Sequence, residues 1–381
     1  MRPRLALSLA VLICVCAAAS TPLAQKAAPP APAAKKNPLL KLIASWPDAD
    51  ALEALRAAAD ARPLFSSTDP LPFTLTANFS ALNKDRNPES STRYPGLLTV
   101  AGPDGAPFNI AVKLSARGHF RRMARNCGWV PLRVEFTGST AGTAFAGQTT
   151  LKLGTGCEAT KEYEQITLRE YLSYPLFTMV TPLAFRARLA RATYVDEASK
   201  KKSGPRYALF LEHENDVGRR NQGRIVELPR VEFKALDGAT LTRMMLYEFM
   251  IGNTDFSIWA LHNVRLVQTP ARTLFPVPYD FDLSGFVNAP YANPDRRLGL
   301  RSVVDRLYRG PCRTTEEFDA AAEGFRAKRA DMLKLLDSMR DIDGPSRVVA
   351  KDYLEGFFRM VERPAAIKKQ FVDGCKALPT M

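Results

Sequence analysis

Histidine is scarce in this chain: only His119, His213 and His262 occur in 381 residues. A serine-hydrolase triad needs one of them beside a nucleophile held in a Gly-x-Ser-x-Gly elbow, and that elbow is missing. His262 is therefore read as a loop-positioning residue and not as a general base. No Cys-x-x-Cys pair is present, which argues against a structural zinc site. The net charge is +14, yet there is no polybasic block, no interleaving of basic and aromatic residues, and no recognised nucleic-acid motif. Nucleic acid is not expected as a partner. Internal repeats are also absent, and so is the regular alternation of strand and helix that builds a parallel nucleotide-binding sheet. That disfavours a metal-dependent glycosyltransferase in which Asp280 and Asp282 would hold a sugar diphosphate.

What is present begins with an export signal. Met1-Arg-Pro-Arg4 is followed by an apolar run over residues 5–19, too short to span a bilayer comfortably, and by the small residues Ala17-Ala-Ala-Ser20. Residues 1–20 read as a cleavable signal peptide and 21–37 as a flexible Ala/Pro/Lys linker. The mature chain is then expected to be periplasmic or extracellular, with no transmembrane segment. Cys14 and Cys16 leave with the signal, so four cysteines remain, an even set suited to an oxidising compartment. Cys127 precedes one expected strand and Cys157 follows the next, so a hairpin brings them together. Cys127–Cys157 and Cys312–Cys375 are the favoured pairs.

The most informative segment is Gly252-Asn-Thr-Asp255, His262-Asn263 and Pro278-Tyr-Asp-Phe-Asp-Leu-Ser-Gly285. Leu241, Met245 and Phe249 recur at helical spacing, which predicts a helix over 240–251 with Gly252-Asn253 as its stop. Residues 262–267 and 273–279 read as a hairpin. Strand alternation through Asp280-Phe281-Asp282 points both carboxylates one way and Phe281 the other. Two such carboxylates would repel unless a hard cation lay between them, and magnesium is commonly held by one or two carboxylates with phosphate and water. The alternative is that both are turn residues ending a strand.

In this order the motifs resemble the catalytic half of the spore-coat-protein-H-type (CotH-like) kinases, an atypical branch of the protein-kinase-like fold. Arg117-Gly118 followed by Pro131-Leu-Arg-Val-Glu-Phe136, and Arg206-Tyr-Ala-Leu-Phe-Leu-Glu-His-Glu214, match earlier segments of that family. The matches run from about residue 110 to 290. The resemblance implies an α+β fold with two lobes, β-rich at the N-terminal side (38–235, with one long helix) and helical at the C-terminal side (236–381). It implies magnesium and ATP as cofactors, Asp255 as the catalytic carboxylate, and Asn263 and Asp282 as metal ligands with Asp280 in support. Glu212 would lie at the nucleotide hinge. Cations for a donor phosphate are expected from Lys152, Arg133 and Lys113 in the β-rich lobe, Lys152 first because Leu151 and Leu153 would face away from it. By analogy of fold, Glu170 on a helix over 161–180 pairs with that lysine. A protein hydroxyl is the implied acceptor. ATP is scarce outside the cytoplasm, so the alternative is an inactive kinase-like scaffold or binding protein of the cell envelope.

Further basic residues cluster at Arg117, Arg121, Arg122 and Arg125, and along one strand at Arg186, Arg188 and Arg191. They suit phosphate or an acidic surface, or form an ordinary solvated basic face. Asn288-Ala-Pro-Tyr291 reads as a loop near the site. Other expected elements are a helix over 48–61 and strands over 73–78, 96–100, 108–114, 131–136, 150–154, 186–195 and 206–212.

Overall fold

Alternation of apolar and polar residues builds the first half of the molecule. In Leu71–Ala77 (β1), Leu71, Phe73, Leu75 and Ala77 are buried, while Pro72, Thr74 and Thr76 face the other way. The same rule is visible in Tyr94–Ala101 (β2), Pro107–Ala116 (β3), Leu132–Phe136 (β4), Thr150–Thr155 (β5) and Ala187–Asp196 (β6), whereas Arg206–Leu211 (β7) is buried on both faces. These seven strands close into a barrel in the order β1-β2-β3-β4-β5-β7-β6. β1 and β6 run parallel and complete the closure, whereas the other neighbours are antiparallel. Phe210 fills the interior, with ring centroids 5.1 Å from both Phe73 and Phe145.

This computed structural model describes residues 39–373 and 375. The signal peptide expected over 1–20, with Cys14 and Cys16, and the linker over 21–37 lie outside the described residues. Helices in chain order are Leu40–Ile43 (α1), Ala49–Asp60 (α2), Phe79–Leu82 (α3), Lys161–Thr178 (α4), Glu214–Arg220 (α5), Gly238–Ile251 (α6), Thr315–Arg326 (α7), Arg329–Ser338 (α8), Gly344–Val361 (α9) and Pro364–Ile367 (α10). A second, antiparallel sheet holds Arg224–Val226 (β8), Val264–Gln268 (β9) and Leu274–Pro278 (β10), ordered β10-β9-β8. The chain is thus an α+β protein with a seven-stranded mixed barrel and C-terminal helices.

Two hydrophobic cores result. One fills the barrel; the other joins the outer face of β6 and β7 to α4, α6, the small sheet and the C-terminal helices. The second core draws on α4 and β8, both before residue 236, so the cores interleave along the chain within one compact unit. α5 and β8 have no counterpart in the expectations above. α5 carries Glu214, Asp216, Arg219 and Arg220 in seven residues, and β8 is only three residues long, so neither shows a readable period.

Both expected disulfides form. Cys127–Cys157 ties the loop before β4 to the end of β5, and Cys312–Cys375 ties the segment before α7 to the residues after α10. Two disulfides are consistent with an oxidising compartment. Among the described residues no helix is long and apolar enough to cross a membrane.

Removing the Phe210 ring leaves a cavity that its rigid neighbours cannot fill. Phe210→Ala is expected to cost about 3–5 kcal/mol in urea unfolding. Val348→Ala, at a residue 58% exposed, should stay within about 0.5 kcal/mol. A loss below ~1 kcal/mol for Phe210→Ala would contradict the packed interior.

Candidate functional site

α6 ends where glycine is required: Gly252 adopts a left-handed φ of 64° and donates its N–H back to Glu248 and Phe249. The next turn positions Asp255, whose N–H bonds to Asn253 Oδ1 at 3.0 Å. Residues 256–262 then loop outward, closed by reciprocal backbone bonds of 3.0 Å between Ser257 and His262. This loop absorbs the eight-residue separation of Asp255 and Asn263. Asn263, itself left-handed at φ 54°, donates its amide N–H to Asp255 O at 2.7 Å and Oδ2 at 3.0 Å. His262 Nε2 lies 3.3 Å from Asp255 Oδ1, a bond that raises the imidazole above its ordinary value. Arg309 clamps the backbone on both sides of Asp255, donating to Thr254 O at 2.5 Å and Phe256 O at 2.8 Å.

Backbone bonds bring the acidic turn to this loop. Tyr279 N–H donates to Asn263 O at 3.0 Å, and Gly285 and Phe286 donate to Gly252 and Ile251 at the end of α6. Asp280 and Asp282 therefore lie beside Asp255, but not by strand alternation. β10 stops at Pro278, and Asp280 turns out of the strand at φ 68°, with its N–H bonded to Tyr174 Oη at 3.2 Å. Phe281 enters the core against Tyr174 and Tyr247. Asp282 is buried, its Oδ2 accepting from the Tyr291 hydroxyl at 3.2 Å. Asp280 is only half-buried, and its carboxylate makes no hydrogen bond or ion pair with a described residue.

The cation beside Glu170 is Arg121, which corrects the expectation of Lys152. Arg121 is buried 3.7 Å from Glu170 and 3.8 Å from Asp282, donates to Thr155 O, and sits over the Tyr291 ring. The reason is reach. Leu151 and Leu153 do point into the barrel, but Lys152 leaves the sheet over the Tyr279 ring, 4.1 Å from its centroid, toward Glu214 at 3.8 Å. Arg265 shares Glu214 at 2.8 Å. Arg133 stands directly across from Lys152 on β4 and is exposed. Lys113 is exposed further along β3, paired in register with Glu135. Glu212 is sealed, its two oxygens taken by Arg186 and Arg220 at 2.8–3.0 Å, so its side chain is closed to a nucleotide.

Most of the basic clusters are likewise spent inside the fold. Arg122 pairs with Asp85, Arg186 with Glu212, and Arg188 donates to the carbonyls of Leu64 and Ser67. Arg117 differs: its Nε is buried without a hydrogen-bond partner, and its charge bears on Lys152 and Glu170. In the sequence, Arg121 is marked only by the cluster around it and Tyr291 only by its loop; nothing marks Arg309.

The electrostatics are those of crowded, buried charge. Burial first, then Asp282 and Asp280, push Glu170 upward against Arg121; burial and Asp280 do the same to Asp282. Burial and Arg117 pull Lys152 down to about 7. Among the described residues no three His, Cys, Asp or Glu side chains are grouped to hold an ion alone. The Asp280 and Asp282 carboxylates and the Asn263 amide oxygen, which accepts no bond from a described residue, are oxygen donors of the kind a hard cation takes together with phosphate and water.

No family model matches the chain, and no curated protein matches its sequence. What the cluster can do follows from its geometry: a partly exposed carboxylate fixed by an amide, two further carboxylates beside it, and two nearby cations, Lys152, which Glu214 faces at 3.8 Å, and Arg117, in no ion pair with a described residue.

Glu248, behind Asp255, is fully buried with neither carboxyl oxygen hydrogen-bonded. Burial drives it up to about 8, opposed by the nearby Asn253 amide and assisted by Asp255. The folded protein holds a proton that the unfolded chain releases from about pH 4.3, so this stability is present below that pH and lost as pH rises through about 8. Glu170 and Asp282 act in the same sense; Lys152 acts oppositely, adding stability above about 7. Urea unfolding should therefore show Glu248→Gln gaining on the parent protein between about pH 5 and 8, by roughly 1–4 kcal/mol at the upper end. Parallel profiles for the two proteins would contradict a neutral Glu248.

Proposed function

We propose that this cluster transfers a phosphoryl group from magnesium-ATP to an acceptor hydroxyl, in the manner of the CotH-like kinases that its motifs resemble. The observation that carries the reading is the fastening of Asn263 to Asp255 beside two more carboxylates, one buried and one whose oxygens have no partner among the described residues. A divalent ion fits here on electrostatic grounds. Glu170, Asp280 and Asp282 face one close cation, Arg121, and the two buried carboxyls are displaced upward by burial first and by neighbouring carboxylates next.

Asp280, Asp282 and the Asn263 amide oxygen would hold the ion. Magnesium, when bound, neutralises charge on the transferred group. Asp255, oriented by Asn263, accepts the proton of an acceptor hydroxyl, and that oxygen attacks the terminal phosphorus as the bond to its bridging oxygen breaks and ADP leaves. His262 and Arg309 keep the carboxylate aimed. Arg117 and Lys152 are the cations for donor phosphate oxygens, in place of the expected Arg133 and Lys113, which lie on the exposed face of the barrel. A phosphate beside Lys152 would restore its full charge near neutral pH. The acceptor would be a protein of the cell envelope.

A second reading, an inactive envelope scaffold, is favoured by one observation: Arg121 already gives Asp282 a cation. Incorporation of labelled phosphate from magnesium-ATP into an envelope extract, together with thermal melting, separates the two. Catalysis predicts a rise in melting temperature with magnesium-ATP and a loss of transfer by at least about 100-fold in Asp255→Asn and in Asp282→Asn, both still folded. Full transfer by Asp255→Asn would remove its assigned role. No transfer and no thermal shift in the parent protein would leave the scaffold.

A further inference from the structure

We infer that the barrel end where β1 and β6 leave the sheet binds an anionic saccharide, a pyranose carrying a carboxylate or phosphate. The inference stands apart from the phosphotransfer reading. A cavity of about 430 Å³ opens there between α3, the Trp129 segment and the turn joining β6 to β7. This is the size of a small-molecule site, and the mouth of a barrel is a frequent place for one.

Three features define what it takes. Phe79, Trp129 and Tyr194 pack on one another with centroids 5.1–5.4 Å apart; Phe79 and Tyr194 are buried, and the half-buried Trp129 offers the ring that the apolar face of a sugar can meet. The Trp129 indole N–H and the Tyr194 hydroxyl are buried with no hydrogen-bond partner among the described residues. Buried donors of this kind are costly, and a ligand oxygen that reached them would satisfy them. Around the rim stand Lys84, Lys201, Lys202 and Arg206, none of them in an ion pair with a described residue. Arg206 lies over Trp129 at 5.5 Å. The one carboxylate at the cavity, Asp196, does not answer them. It accepts four bonds of 2.6–3.1 Å from the backbones and hydroxyls of Ser80 and Ser199. The rim thus keeps an unbalanced positive charge beside the Trp129 ring, which suits a ligand both negative and ring-shaped.

Calorimetry and tryptophan fluorescence on the full mature chain, without magnesium or nucleotide, test this with glucuronate, glucose 6-phosphate, glucose and inorganic phosphate as probes. Saturable binding is expected for at least one of the two charged sugars, tenfold or more tighter than for glucose or phosphate. Which charged sugar prevails identifies the anion. The double variant Lys201→Glu, Lys202→Glu, on exposed side chains, should weaken that binding at least tenfold with an unchanged melting temperature. Trp129→Phe should lose the fluorescence response while remaining folded. Equal affinity for glucose overturns the need for charge, equal affinity for phosphate overturns the sugar, and no binding of any probe, or none lost in the double variant, overturns the site.

Discussion

One buried guanidinium organises this molecule. Arg121 comes from the loop between β3 and β4, which Cys127–Cys157 fastens to the end of β5. It touches Thr155 O on β5, Glu170 on α4, Asp282 after the hairpin, and the Tyr291 ring in the loop beyond. Taking that charge out of water costs several kcal/mol, recovered only where partners surround it. Here the partners sit on elements distant in sequence. Arg121 therefore acts as the electrostatic pin between barrel and helical half. Without it Glu170, Asp280 and Asp282 would meet with no close cation among them.

The helix stop at Gly252-Asn253 and the hairpin of β9 and β10 were legible because both obey local rules: an apolar period of 3.6, a glycine with left-handed φ, and two short apolar runs around a turn. The disulfide pairs were legible because flanking strands fixed the reach of Cys127 and Cys157. Other features depend on long-range contacts that no local pattern encodes. The parallel pairing of β1 with β6 joins residues more than a hundred positions apart. Lys152 and Arg121 are both basic residues near the β-rich half, and only the path of the loop decides which reaches Glu170. Glu212 ends an apolar strand in a way that reads as a ligand contact, yet Arg186 and Arg220 close on it once β6 and α5 are in place. Asp280 and Asp282 were found as a pair for a reason that did not hold, since the backbone turns at Asp280.

The two functional readings differ in the meaning of the same contact. If Arg121 fixes Asp282 in place while Asp280 and Asn263 complete a cation site, the buried charge is preorganisation, of the kind that catalysis by electrostatic stabilisation requires. If Arg121 substitutes for a metal, the same charge is architecture. Among the described residues the oxygens of Asp280 and Asn263 and the buried Nε of Arg117 have no hydrogen-bond partner, which leaves them open to a ligand on the first reading.

A double-mutant cycle on Arg121→Met and Glu170→Gln, followed by urea unfolding, tests the pin directly. Arg121→Met should cost about 3–5 kcal/mol by stranding Glu170 and Asp282, Glu170→Gln less because Asp282 still faces Arg121 and burial already raises the Glu170 carboxyl, and the double should cost less than their sum, giving a coupling of at least ~1 kcal/mol. Additivity within about 0.5 kcal/mol would show that the two groups do not support one another. The claim that Arg121 holds the site together would then be wrong.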